Sequence, residues 1–180
     1  MDTDFVLEMF SGLDDQCYPI GGSFLAPDGN TAIPFLCESH PFIALYHPIV
    51  LNQSTYATAR KMVMTDADRE VSENAYLMKF ASATQWCSGR EYAPIEALAL
   101  FKHAIRHRIP QRLAKVTQAF MSETVLADEL YFIPGADDAV RVERLNLWYG
   151  RIADRIVTGQ LGLHAIHLTS GDYWYGYRKA

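Results

Sequence analysis

The chain has 180 residues, 49% apolar and 21% charged, with a formal net charge of −5 and a mean hydropathy of −0.06. That balance describes one soluble globular domain and excludes a disordered, collagen-like or membrane-spanning chain. At this length roughly 70% of the unfolded surface can be buried, so the core needs neither a disulfide nor a metal to hold it.

The first third is acidic and irregular. Asp2, Asp4, Glu8, Asp14 and Asp15 precede any cation, the reverse of a secretory or mitochondrial leader, and the expected location is cytoplasmic. The longest near-apolar run, 42–51, is interrupted by His47 and Pro48 and is about half the length of a transmembrane helix. Cys17, Cys37 and Cys87 are odd in number and form no Cys-x-x-Cys, which fits reduced thiols buried as small hydrophobes. Asn52-Gln53-Ser54 matches a glycosylation acceptor, a match without meaning unless the chain is exported. Over residues 1–51, Pro and Gly punctuate short apolar stretches, predicting strands at 32–37 and 43–51 and a turn at Asp28-Gly29.

After residue 52 a helical period takes over. Thr65 as N-cap, with Asp68 three residues on, opens a helix that carries Val71, Ala75, Met78 and Ser82 on its buried face. Pro94 starts a second, with Ile95, Leu98, Phe101, Ile105 and Ile109 on one stripe; Pro110 ends it and begins a shorter helix over 111–120. A loop closing at Pro134-Gly135 leads to a long helix over about 137–157, with Asp137 and Asp138 at its positive end. A short strand over 163–168 then precedes a Gly- and Tyr-rich tail. The expected fold is one α+β domain, residues 1–180, mainly α-helical: an irregular third with short strands over 1–51, then a helical core and aromatic tail over 52–180.

On the first of these helices Glu73 projects among Tyr76, Leu77 and Phe80. A carboxylate covered there would titrate high enough to serve as general acid or base; an exposed Glu paired with Arg69 is the alternative. Lys79, about 120° around the helix, would flank the same cleft or snorkel at a rim. Asp172-Tyr173-Trp174-Tyr175-Gly176-Tyr177 either lines a flat slot suited to a nucleobase or caps the core. All 16 Lys and Arg lie at or after Arg60, and seven acids precede it. Residues 97–122 hold Lys102, Arg106, Arg108, Arg112 and Lys115, with His103 and His107 and no acid, which suits a phosphate-bearing ligand or a plain solvated face. Arg144, Arg151 and Arg155 line one side of the long helix, open to phosphate or paired with Glu143 and Asp154. His103 and His107 lack the Glu and third ligand of a zinc site, and serine-hydrolase, P-loop and Rossmann fingerprints are missing, so no metal or organic cofactor is expected.

Several of these segments resemble YbiA-like, or NADAR, domains, which are also common in phage. Ser72-Glu73-Asn74-Ala75-Tyr76-Leu77-Met78-Lys79-Phe80 is similar to the family's Ser-Glu-His helix, with Asn74 in place of the His. Ile109 to Lys115 resembles its Pro-x-x-Ala-Lys segment, and Asp172 to Gly176 its closing Asp-x-x-Trp-Gly, so the likeness spans about residues 72–177. A second alignment puts Tyr56 to Lys61 on the family helix but leaves Arg60 where the acid belongs. The resemblance implies hydrolysis of an N-glycosidic bond in a nucleotide-derived substrate, either ADP-ribosylated guanine or a riboflavin-pathway intermediate. Glu73 and Asp172 would share the tasks of stabilising the oxocarbenium-like state and positioning or deprotonating water; Lys79 would hold a hydroxyl or phosphate, Tyr76 would bind substrate beside it, Trp174 would stack on the base, and Arg112 and Lys115 would meet phosphate. The competing expectation is a non-catalytic protein that binds ADP-ribose, ADP-ribosylated nucleic acid or a protein partner.

Overall fold

The structure, a computed structural model, describes residues 3–26, 29–67, 69–89, 104–132, 158–166, 168 and 175–180. In chain order they form α1 (Thr3–Met9), β1 (Phe24–Leu25), β2 (Thr31–Cys37), β3 (His40–Pro48), α2 (Ser54–Ala67), β4 (Ala75–Ser82), α3 (Ala83–Cys87), α4 (Ala104–Glu123), β5 (Glu129–Phe132), a single turn at Gly159–Leu161, β6 (His164–Ile166) and β7 (Tyr175–Arg178). The seven strands make one sheet in the order β1-β2-β3-β4-β5-β7-β6. β4 and β5 run parallel, and the other ladders are antiparallel.

This corrects the mainly helical fold expected from the sequence, because among the described residues strand and helix share the chain about equally. The strands expected near 32–37, 43–51 and 163–168 are present as β2, β3 and β6. The helix expected from Thr65 to Ser82 is instead the end of α2, a turn and then β4. Its cause lies in packing. β4 is covered on both faces, with Met78 set among Tyr46 and Phe120 on one side and Leu77 among Tyr56 and Val63 on the other. A strand covered twice shows a continuous apolar run rather than alternation, and 75, 78 and 82 in such a run mimic a helical stripe.

α4 covers one face of the sheet, burying Ile109, Val116 and Phe120 against Phe35, Tyr46 and Leu130. The Phe120 ring stacks on Tyr46 with centroids 3.8 Å apart and planes at 2°. α2 covers the other face beside Leu77, Tyr131 and Ile166, and α1 and α3 continue that layer over Ile43 and Leu45. The break expected at Pro110 does not occur, since Pro110 lies inside α4. A proline inside a helix costs about 3 kcal/mol, whereas burying Ile109, Val116 and Phe120 contributes about 1.5–3 kcal/mol each, so the helix continues. The helices expected over 137–157 and at 94–103 lie outside the described residues.

At the turn between β2 and β3, Glu38 and Ser39 take positive φ values of 53° and 62°. Ser39 N–H donates to Asp15 Oδ2 at 3.1 Å, which holds the turn to the N-terminal segment. Beneath it, burial and the Asp15 charge push the Cys37 thiol up to about 11, while Cys17 and Cys87 are exposed. With a disulfide-exchange reagent near pH 8, two thiols should react promptly and the third only on unfolding; rapid reaction of all three would place Cys37 in contact with solvent.

Gly176 of β7 sits between Tyr131 and Ile166, where an added Cβ would come 2.9 Å from Tyr131 Cε1 and 3.2 Å from Ile166 Cβ. Neither a buried ring nor a β-branched strand residue gives way cheaply. Gly176→Ala should therefore cost about 1–3 kcal/mol in urea unfolding, and an unchanged midpoint would mean the two neighbours are not packed this closely.

Candidate functional site

The described residues among those expected to form one cleft are spread over the fold. Glu73 is exposed in the turn before β4, and Arg69 pairs with Glu129 rather than with it. Because Tyr76 and Lys79 are three apart in a strand, they face opposite sides of the sheet. Tyr76 packs edge-on against Phe120 at 5.1 Å between centroids, and Lys79 lies half-buried on the other face in register with Leu45. Arg112 donates to the Asp15 carbonyl at 2.8 Å and lies 3.5 Å from Asp15 Oδ1; its neighbour Arg108 pairs with Glu38. Lys115 is exposed on α4. Asp172 and Trp174 lie outside the described residues. The chain enters β7 at Tyr175, opposite Phe132, whereas Glu73 precedes Ala75, opposite Glu129. Those rows are three residues apart, about 10 Å, with Glu73 beyond the far one.

What the fold does gather is polar groups at the end of the sheet where β4 and β5 begin. Glu129, only 2% exposed, pairs with Arg69 and accepts from Ser72 N–H at 3.0 Å and from the Tyr131 hydroxyl at 2.9 Å. The Ser72 hydroxyl donates to Asp128 Oδ2 at 2.8 Å and accepts from Asn74 N–H at 3.0 Å. Ser72 thus touches both carboxylates, one through its backbone and one through its side chain. Burial pushes the Tyr131 hydroxyl pKa up, with Arg69 opposing. The exposed Arg178 and Lys179 flank these carboxylates, Arg178 in register with Glu129 and Lys179 N–H donating to the Asp128 carbonyl at 2.8 Å. Among the described residues Arg69 Nη1 and Asp128 Oδ1 are buried without a hydrogen-bond partner, and Glu129 Oε1 has only its ion pair with Arg69.

A second group stands at the same end, where β2 starts and β3 stops. His47 Nδ1 meets the side-chain oxygen of the buried Asn30, and its Nε2 lies 3.0 Å from Gln53 Oε1, which ties β3 to the start of α2. Arg178, in register with Glu129, and Lys179 are exposed here, the Lys179 ammonium donating to the Val125 carbonyl at 3.0 Å, and large apolar side chains are exposed beside them. Of eight large hydrophobic side chains exposed among the described residues, five project at this end: Leu25, Val50, Leu51, Val125 and Leu126, the last 74% exposed.

Sequence reasoning placed the dry carboxylate at Glu73 and missed Glu129, 56 positions further along the chain. The available signal was the Asp128-Glu129 pair directly before Leu-Tyr-Phe, an acid opening an apolar strand. Among the described residues no group of three or more His, Cys, Asp or Glu could hold a metal, and no helix is long and apolar enough to cross a membrane. A scan against protein-family models finds no match, and searches of curated proteins and of solved structures find none either.

Removing one member of a buried ion pair strands the other, a loss of about 3–5 kcal/mol. Glu129→Ala should fall in that range by urea unfolding, and Ser72→Ala should cost about 1 kcal/mol through its lost hydroxyl bonds. A Glu129→Ala protein as stable as the wild type would mean the pair is not formed in solution.

Proposed function

We propose that the protein is a non-catalytic interaction protein of the cytoplasm that meets a macromolecular partner with the end of its sheet where β4 and β5 begin. The concentration of exposed Leu25, Val50, Leu51, Val125 and Leu126 at that end carries the reading, because apolar side chains grouped on one part of a surface mark contact sites. The polar clusters beneath them support it: Ser72, Asp128 and Glu129 hold the strand ends, and the His47 clamp holds the start of α2, so the rim sits on a rigid base. Leu51→Glu combined with Leu126→Glu should melt within about 2 °C of the wild type, since both positions are exposed. The double variant should lose the partner that tagged wild-type protein retains at a fixed stoichiometry. Equal retention by both proteins, or no partner at fixed stoichiometry, overturns the reading.

A second reading, N-glycosidic hydrolysis of a nucleotide-derived substrate, is favoured by the half-buried Asp128 carboxyl, whose Oδ1 has no hydrogen-bond partner among the described residues. An oxocarbenium-like transition state is cationic and would be stabilised beside it. In that chemistry water adds to the anomeric carbon as the C–N bond breaks, Asp128 takes the water's proton, and the leaving nitrogen is protonated from solvent. Incubation with ADP-ribosylated guanine nucleotides or riboflavin-pathway ribosylamines separates the two readings. The interaction reading expects no released base or amine; release that Asp128→Asn abolishes and Glu73→Gln leaves intact would replace it with the hydrolase.

A further inference from the structure

We draw no further inference here: the strongest candidate, the Asn30–His47–Gln53 side-chain cluster where β2, β3 and α2 meet, carries nothing because both imidazole nitrogens are already engaged by side-chain amides of the chain itself and nothing in the structure points a ligand at it.

Discussion

The register of the parallel β4–β5 pair depends on the buried Glu129 carboxylate and its donors. Antiparallel neighbours can be set by a tight turn, as β2 and β3 are through Glu38 and Ser39, but parallel strands are joined by a long crossover that leaves their alignment open. Here the crossover includes α3 and α4. Alignment comes instead from Ser72, which donates to Glu129 and Asp128 together, and from Asp128 N–H, which donates to the Asn74 carbonyl at 3.3 Å. A slip of one residue would turn Glu129 from Arg69 toward the opposite face, into the apolar layer around Phe120. An unpaired carboxylate there costs several kcal/mol, more than a single ladder bond returns, so the charge selects one register.

The uneven charge along the chain becomes local pairing in space. Every acid of the first third precedes the first cation, yet Asp15 and Glu38 come to lie against Arg112 and Arg108 of α4. Much of the basic character that suggested a phosphate site is thereby spent within the molecule, at the sheet end opposite the Glu129 cluster. Arg60 and Glu70 repeat the pattern around α2, where a two-pronged contact at 2.7 and 2.8 Å holds the Glu70 carboxyl below its ordinary range. Both of those side chains are exposed, and the contact orients the loop after α2 more than it stabilises the fold.

Elements bounded by sharp turn chemistry were legible in the sequence, even β3, which is covered on both faces. β2 and β3 are bounded by Pro, Gly and Asn and read as strands; β6 reads as a strand between Gly162 and the tail. β4 was not legible, because helices on both sides of the sheet make both of its faces apolar, and Leu, Met, Lys and Glu in and before it carry good helix propensity. β5 and β7, four residues each, are shorter than any window in which a period can be counted. Misreading β4 also displaced the candidate site. A helix fans Ser72, Glu73 and Asn74 around an axis; the turn that actually holds them sends Ser72 inward and Glu73 outward, so the motif's neighbours rather than its acid take part in the polar cluster.

Glu129 shows why a dry carboxylate is not by itself a reactive one. General acid–base work needs a group that can exchange its proton, and desolvation raises a carboxyl's pKa only while few donors oppose it. Glu129 is held by a guanidinium, a backbone N–H and a phenol, the last two both donating to Oε2. Glu73 fails in the opposite way, since it stands exposed in the turn before β4. Asp128, by contrast, is half-buried and has in Oδ1 an oxygen without a hydrogen-bond partner among the described residues. In the proposed interaction reading the exposed Leu51 and Leu126 would contribute by leaving water, which asks only that a partner of complementary shape arrive.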